Sequence, residues 1–103
     1  MQIQVNTDHN IAGHEALTTQ VTATVESALS RFSKHITRVE VHLTDENAAK
    51  SGVNDKRCLM EARIEGRQPL AVSDSAATVD KAIHGALHKL TSLIESTLGR
   101  AEH

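Results

Sequence analysis

The hydrophobic period of this chain changes in a fixed order, and that order leaves few folds open. Gln2 to Thr7 alternates, with Ile3 and Val5 on one face and Gln2 and Gln4 on the other. That is the signature of a half-buried strand. Asp8-His9-Asn10 supplies turn-forming side chains. From Glu15 the period lengthens. Leu17, Val21, Val25, Ala28, Leu29 and Phe32 recur at three- and four-residue steps, the apolar stripe of an amphipathic helix. The opposite face carries Thr18, Thr19, Thr22, Thr24, Ser27 and Ser30. These are mediocre helix formers, so packing of the stripe must hold this helix more than propensity does.

The two-residue period returns over Ile36 to Thr44, where Val39, Val41 and Leu43 oppose Glu40, His42 and Thr44. Asp45 to Asp55 is polar and small, and predicts a hairpin loop that is the least ordered internal segment. A third alternation follows, with Cys58, Met60, Ala62 and Ile64 facing one way and Arg57, Leu59, Glu61, Arg63 and Glu65 the other. Glu65-Gly66-Arg67-Gln68 reads as a turn, and Pro69 suits the start of a short strand over Leu70 to Val72. Ser73 or Asp74 is then placed to cap a helix. Val79, Ile83, Ala86, Leu87, Leu90, Leu93, Ile94 and Leu98 form the apolar face of that helix, and Gly99 marks its expected exit. Gly85 lies within it and costs about 1 kcal/mol against alanine; it either permits close approach of a neighbour or is simply tolerated.

Four strands and two helices in the order β-α-β-β-β-α predict an α+β fold, a four-stranded sheet with both helices packed on one face. One domain over residues 1–103 accommodates it. The predicted core is Ile3, Val5, Leu17, Val21, Val25, Phe32, Val39, Val41, Met60, Ile64, Val79, Ile83, Leu87, Leu90 and Ile94. It is aliphatic by necessity, since Phe32 is the single aromatic residue. The other sheet face, with Gln2, Gln4, Glu40, His42, Glu61 and Arg63, should be wet.

Several classes of function fall away on chemistry. No apolar run reaches the roughly 20 residues a membrane span needs, and the N-terminus reads as a strand rather than a signal peptide. The expectation is a cytoplasmic protein. Cys58 is the sole cysteine, so no intrachain disulfide is possible, and it falls on the apolar face of a strand with no implied base beside it. No glycine-rich phosphate loop or paired-carboxylate arrangement is present, and no enzyme or cofactor is predicted. His84 and His88 have the i, i+4 spacing of metal ligands, but no further ligand accompanies them in sequence. They are read as helix-face histidines, with no metal. The formal net charge is −2 with histidines neutral, and seven histidines begin to charge near pH 6.5, so mild acid moves the balance toward positive.

Glu15-Ala16-Leu17, Val39-Glu40-Val41-His42-Leu43, Asp74 and Ala77-Thr78-Val79-Asp80, taken with the element order, resemble the ribosome hibernation-promoting and ribosome-associated inhibitor family, also called the sigma-factor modulation family. The resemblance spans nearly the whole chain and looks like that of a diverged short member. It implies a non-enzymatic bacterial factor of the stress response that binds the small ribosomal subunit and its rRNA and silences translation. It further implies rRNA contact by basic side chains of the two helices, which here points to Arg31, Lys34, Arg38, Lys81, His84, His88 and Lys89. The chain also departs from the family. Thr24 and Ser27 stand where exposed lysines or arginines are usual in the first helix, and Ser75 and Ala76 follow Asp74 where an aromatic is usual. His84-Gly85-Ala86-Leu87-His88-Lys89 replaces a more basic run. The alternative reading is a protein-interaction module that keeps the fold without rRNA binding, with a homodimer through the exposed sheet face or Leu59 as one form of it.

Overall fold

The computed structural model describes residues 1–8, 11, 13–45 and 55–101, excluding the side chains of Arg100 and Ala101. Its elements are β1 (Gln2–Thr7), α1 (His14–Leu29), a 3-10 turn (Ser30–Phe32), β2 (Ile36–Asp45), β3 (Lys56–Ile64), β4 (Leu70–Ala76) and α2 (Val79–Ala101). The sheet order is β1-β2-β3-β4. β1 pairs parallel with β2, as a helical crossover requires, while β2–β3 and β3–β4 are antiparallel. Ile3 aligns with Val39 and Val5 with Val41, so the apolar sets read from the sequence fall on one face.

Both helices cover that face, and one core cluster joins them to the sheet. Val25, Leu29, Val39, Val41, Met60, Leu90 and Ile94 are fully buried. Ile3, Val5, Leu17 and Val79 pack against the cluster but are only half-buried, because they lie at its margin. Ile11, Leu29, Ile36, Leu43, Cys58, Ala62, Ala82, Ala86 and Leu98 enlarge the core beyond the predicted set. The two helices run side by side in the same sense. Leu17 and Val21 of α1 neighbour Val79 and Ile83 of α2, and Arg31 just past α1 reaches Glu95.

Three boundaries differ from the sequence reading. β4 continues through Ser73 and Asp74 to Ala76, because each residue from Leu70 to Ala76 finds a ladder partner on β3. Capping of α2 therefore falls to Thr78, whose Oγ1 accepts from the Lys81 N–H at 3.1 Å. Gly99 does not end α2, which runs on to Ala101 with no left-handed residue at that glycine. The first apolar stripe also tightens, with Ser30–Phe32 forming a 3-10 turn that still buries Phe32. Gly66, by contrast, serves as read. Its φ of 75° is the left-handed conformation a turn closed by Arg67 N–H to Ile64 O needs.

Asp45 belongs to β2 and Asp55 is buried; residues 46–54 of the expected loop lie outside the described residues. Lys56 bridges Asp55 at 2.9 Å and Asp45 at 3.4 Å, joining the strand ends. The hydrogen bond to Asp55, reinforced by both negative charges, holds its ammonium above the usual lysine range.

Candidate nucleic-acid interface

The surface to which the sequence points is the outer side of the paired helices. Lys81, His84 and His88 lie at steps of three and four along α2, so they share one exposed stripe. The His84 Nε2 stands 3.4 Å from Asp80 Oδ1, one turn earlier. Lys34 is exposed in the turn leading to β2.

The other cations do not join them. Arg38 sits on the far face of the sheet, where it pairs with Gln4 and lies 3.4 Å from Glu40. The alternation of β2 dictates this: residues of the Glu40 and His42 phase point away from the helices. Arg31 is held by Glu95 of α2 and lies over the Phe32 ring, 4.5 Å from its centroid. The Lys89 ammonium donates to Ser73 O at 2.9 Å and to Asp74 Oδ1 at 3.1 Å, turning back onto β4. Of the cations the resemblance points to, only Lys81 shares a stripe with the two histidines; Lys34 lies past Arg31, at the end of the helix pair where Arg31 meets Glu95. α1 itself adds no cation, since His14 to Ser30 contains no lysine or arginine.

Asp74 explains Gly85. It pairs with Cys58 on the helix-covered face of the sheet and projects toward α2. A Cβ on Gly85 would stand only 1.7 Å from Asp74 Oδ2, so the missing side chain is the space the carboxylate occupies. Cys58 lies behind it. Burial, with Asp74 as a smaller contributor, pushes its thiol up to about 12, which leaves it protonated and unreactive. Among the described residues no group of three or more potential ligands assembles for a metal, and His84 and His88 stay an exposed pair.

A feature the sequence reading missed is a cleft of about 280 Å³ between the N-terminal halves of α1 and α2. Leu17, Val21, Val79 and Ile83 form its apolar walls, and Gln20, Thr24, Asp80 and His84 line its mouth. The Asp80–His84 spacing was visible in the sequence. Its position opposite Gln20 and Thr24 was not, because that depends on how the helices pair.

A four-stranded sheet backed by two parallel helices over one apolar core defines a small α+β domain. The chain belongs to the Sigma 54 modulation protein / S30EA ribosomal protein family, whose model matches residues 4–101. Among solved structures it is similar to the Thermus thermophilus Protein Y N-terminal domain, with a TM-score of 0.72 and 18% identity over 94% of this chain and 99% of that one. It is also similar to a ribosomal subunit interface protein from Coxiella burnetii, with a TM-score of 0.70 and 13% identity over 96% and 99%. At these identities the likeness is one of fold. Comparison with curated proteins finds no match.

Proposed function

We propose that this protein associates with the ribosome, binds the small subunit through its helix face, and modulates or silences translation as a hibernation-type factor without catalysis. The observation that carries this reading is the family match, which extends over nearly the entire chain. The helix face supports it in kind. Lys81 lies on that face beside His84 and His88, and Lys34 adds a permanent positive charge in the turn beyond α1. Affinity for rRNA phosphates scales with the number of cations that neutralise them. With Arg38 on the far face, and Arg31 and Lys89 each beside an acidic neighbour in a partly exposed pair, the contact is lean and sensitive to salt.

The test is co-sedimentation with purified ribosomes and separated subunits over a salt series. Binding to the small subunit that weakens steeply with salt is expected. Absence of binding at low salt would sink the reading.

One observation favours a second reading, a protein-interaction module without rRNA contact. The α1 face is uncharged or acidic, with Glu15 and Glu26 among its hydroxyls, while the far sheet face exposes Leu59 beside His42 and Arg57. Under this reading a partner, or a second copy of the chain, covers the sheet. Sedimentation equilibrium of wild type and Leu59→Glu separates the two, since a sheet-mediated dimer is lost in the variant while ribosome binding is not.

A further inference from the structure

We propose that the cleft between α1 and α2 takes an unpaired RNA base, reading the exocyclic amino group of adenine, cytosine or guanine. This rests on the ribosome reading above and specifies what part of the RNA the helix face contacts. The motivating fact is a mismatch. Asp80 lies at the mouth of the cleft with a side chain 67% exposed, one turn from His84 on the same helix stripe. A carboxylate there repels phosphate, although the first turn of α2 is also where the helix dipole favours an acid. To a base edge it is an acceptor: carboxylates receive the amino group of cytosine, and glutamine amides pair with adenine.

The remaining lining fits the same ligand. Leu17 and Val79, one from each helix, flank the cleft, and the buried Val21 and Ile83 form its floor, an apolar surface against which a flat ring can pack. Gln20 supplies both a donor and an acceptor. The Thr24 hydroxyl donates to Gln20 O at 2.9 Å, so its oxygen is left to accept. At about 280 Å³ the space falls just under the usual range for small-molecule pockets, suiting one base rather than a larger ligand. Sequence-selective proteins commonly read RNA through unstacked bases of single strands, and the exposed Lys81 adds a cation in the same first turn of α2. Uracil has no exocyclic amino group and gains nothing from Asp80.

The experiment uses the full chain with labelled Leu, Val and Ile methyl groups, titrated with short oligo(A), oligo(C) and oligo(U) RNA at matched low salt. Expected are methyl shifts at Leu17, Val79 and Ile83 with oligo(A) and oligo(C), and a dissociation constant for oligo(U) at least about fivefold weaker. Asp80→Lys separates base reading from plain electrostatics. It adds a cation, so binding of every oligomer rises if phosphate alone matters; base reading predicts instead that the preference over oligo(U) disappears. Equal binding of the three oligomers by wild type overturns the proposal. So do cleft methyl shifts that appear only with a leucine- and arginine-bearing peptide, which would mark the cleft as a protein site. Ribosome co-sedimentation run in parallel keeps the two claims apart. Wild type that binds ribosomes but shows no cleft shifts with RNA loses the base site alone, whereas amino-base preference without ribosome binding supports the site and removes the ribosome reading.

Discussion

Gly85→Ala is the substitution that most directly tests how α2 is seated. On an isolated helix it would help, since alanine is favoured over glycine by about 1 kcal/mol. Here the new Cβ would lie 1.7 Å from Asp74 Oδ2, 2.7 Å from its Cγ and 3.3 Å from its Cβ. Rotation of the carboxylate can relieve the first two contacts. The third involves the base of the side chain, so it requires β4 and α2 to part slightly. Overpacking of this kind costs about 1–3 kcal/mol. Swinging the carboxylate away also breaks its 3.1 Å contact with Lys89, a partly exposed pair worth about 0.2–1 kcal/mol. Net destabilisation of about 1–2 kcal/mol is expected in the wild-type background. With Asp74→Ala the obstruction is gone, and the same glycine change should stabilise by up to about 1 kcal/mol. The coupling between the sites is therefore about 2 kcal/mol. Urea unfolding followed by far-UV circular dichroism on the four proteins measures it, with the midpoint moving and the slope unchanged. If Gly85→Ala stabilises both backgrounds equally, the close fit of Asp74 against α2 is not what glycine is there for.

Other perturbations address the face and the core. Glu95→Gln should free Arg31 for phosphate and steepen the salt dependence by about one contact, while changing stability by less than about 1 kcal/mol, since the pair is about half exposed. Cys58, with its thiol pushed up to about 12, should resist iodoacetamide at pH 8 in the folded protein and react once urea unfolds it; rapid modification of the native state would contradict its burial. Leu90→Ala should cost about 2–5 kcal/mol in the same urea assay, because Leu90 is completely enclosed.

The elements themselves were legible because period is a local property. Ile3 and Val5, Val39 to Leu43, and Cys58 to Ile64 alternate strictly, and a two-residue period admits only a strand with one buried face. The same holds for α2, whose stripe from Val79 to Leu98 is long enough to stand out against any alternative. Order then did much of the rest: a crossover helix between β1 and β2 brings them parallel, and short connections make β3 and β4 antiparallel. Ends were harder. Ser73 and Asp74 carry side chains that favour caps, yet they stay in β4 because β3 is long enough to offer Leu59 and Cys58 as partners. Tertiary pairing overrode local preference.

Which cations would meet one another was a question of another kind. Arg31, Lys34, Arg38, Lys81, His84, His88 and Lys89 are equivalent as letters, and charge has no period to reveal its destination. Arg38 turned to the far side because a strand alternates, a fact available in the sequence once its phase was taken seriously. Arg31 and Lys89 could not be resolved that way. Their partners, Glu95 and Asp74, are 64 and 15 residues distant, and only the packing of helix on helix and helix on strand brings them within reach. The cleft between α1 and α2 has the same origin. Local sequence determined that each helix has an apolar stripe; only the parallel pairing of the two over one sheet decided that Gln20 and Thr24 would stand across from Asp80 and His84, because contact between distant segments is a property of their shared core and not of either segment alone.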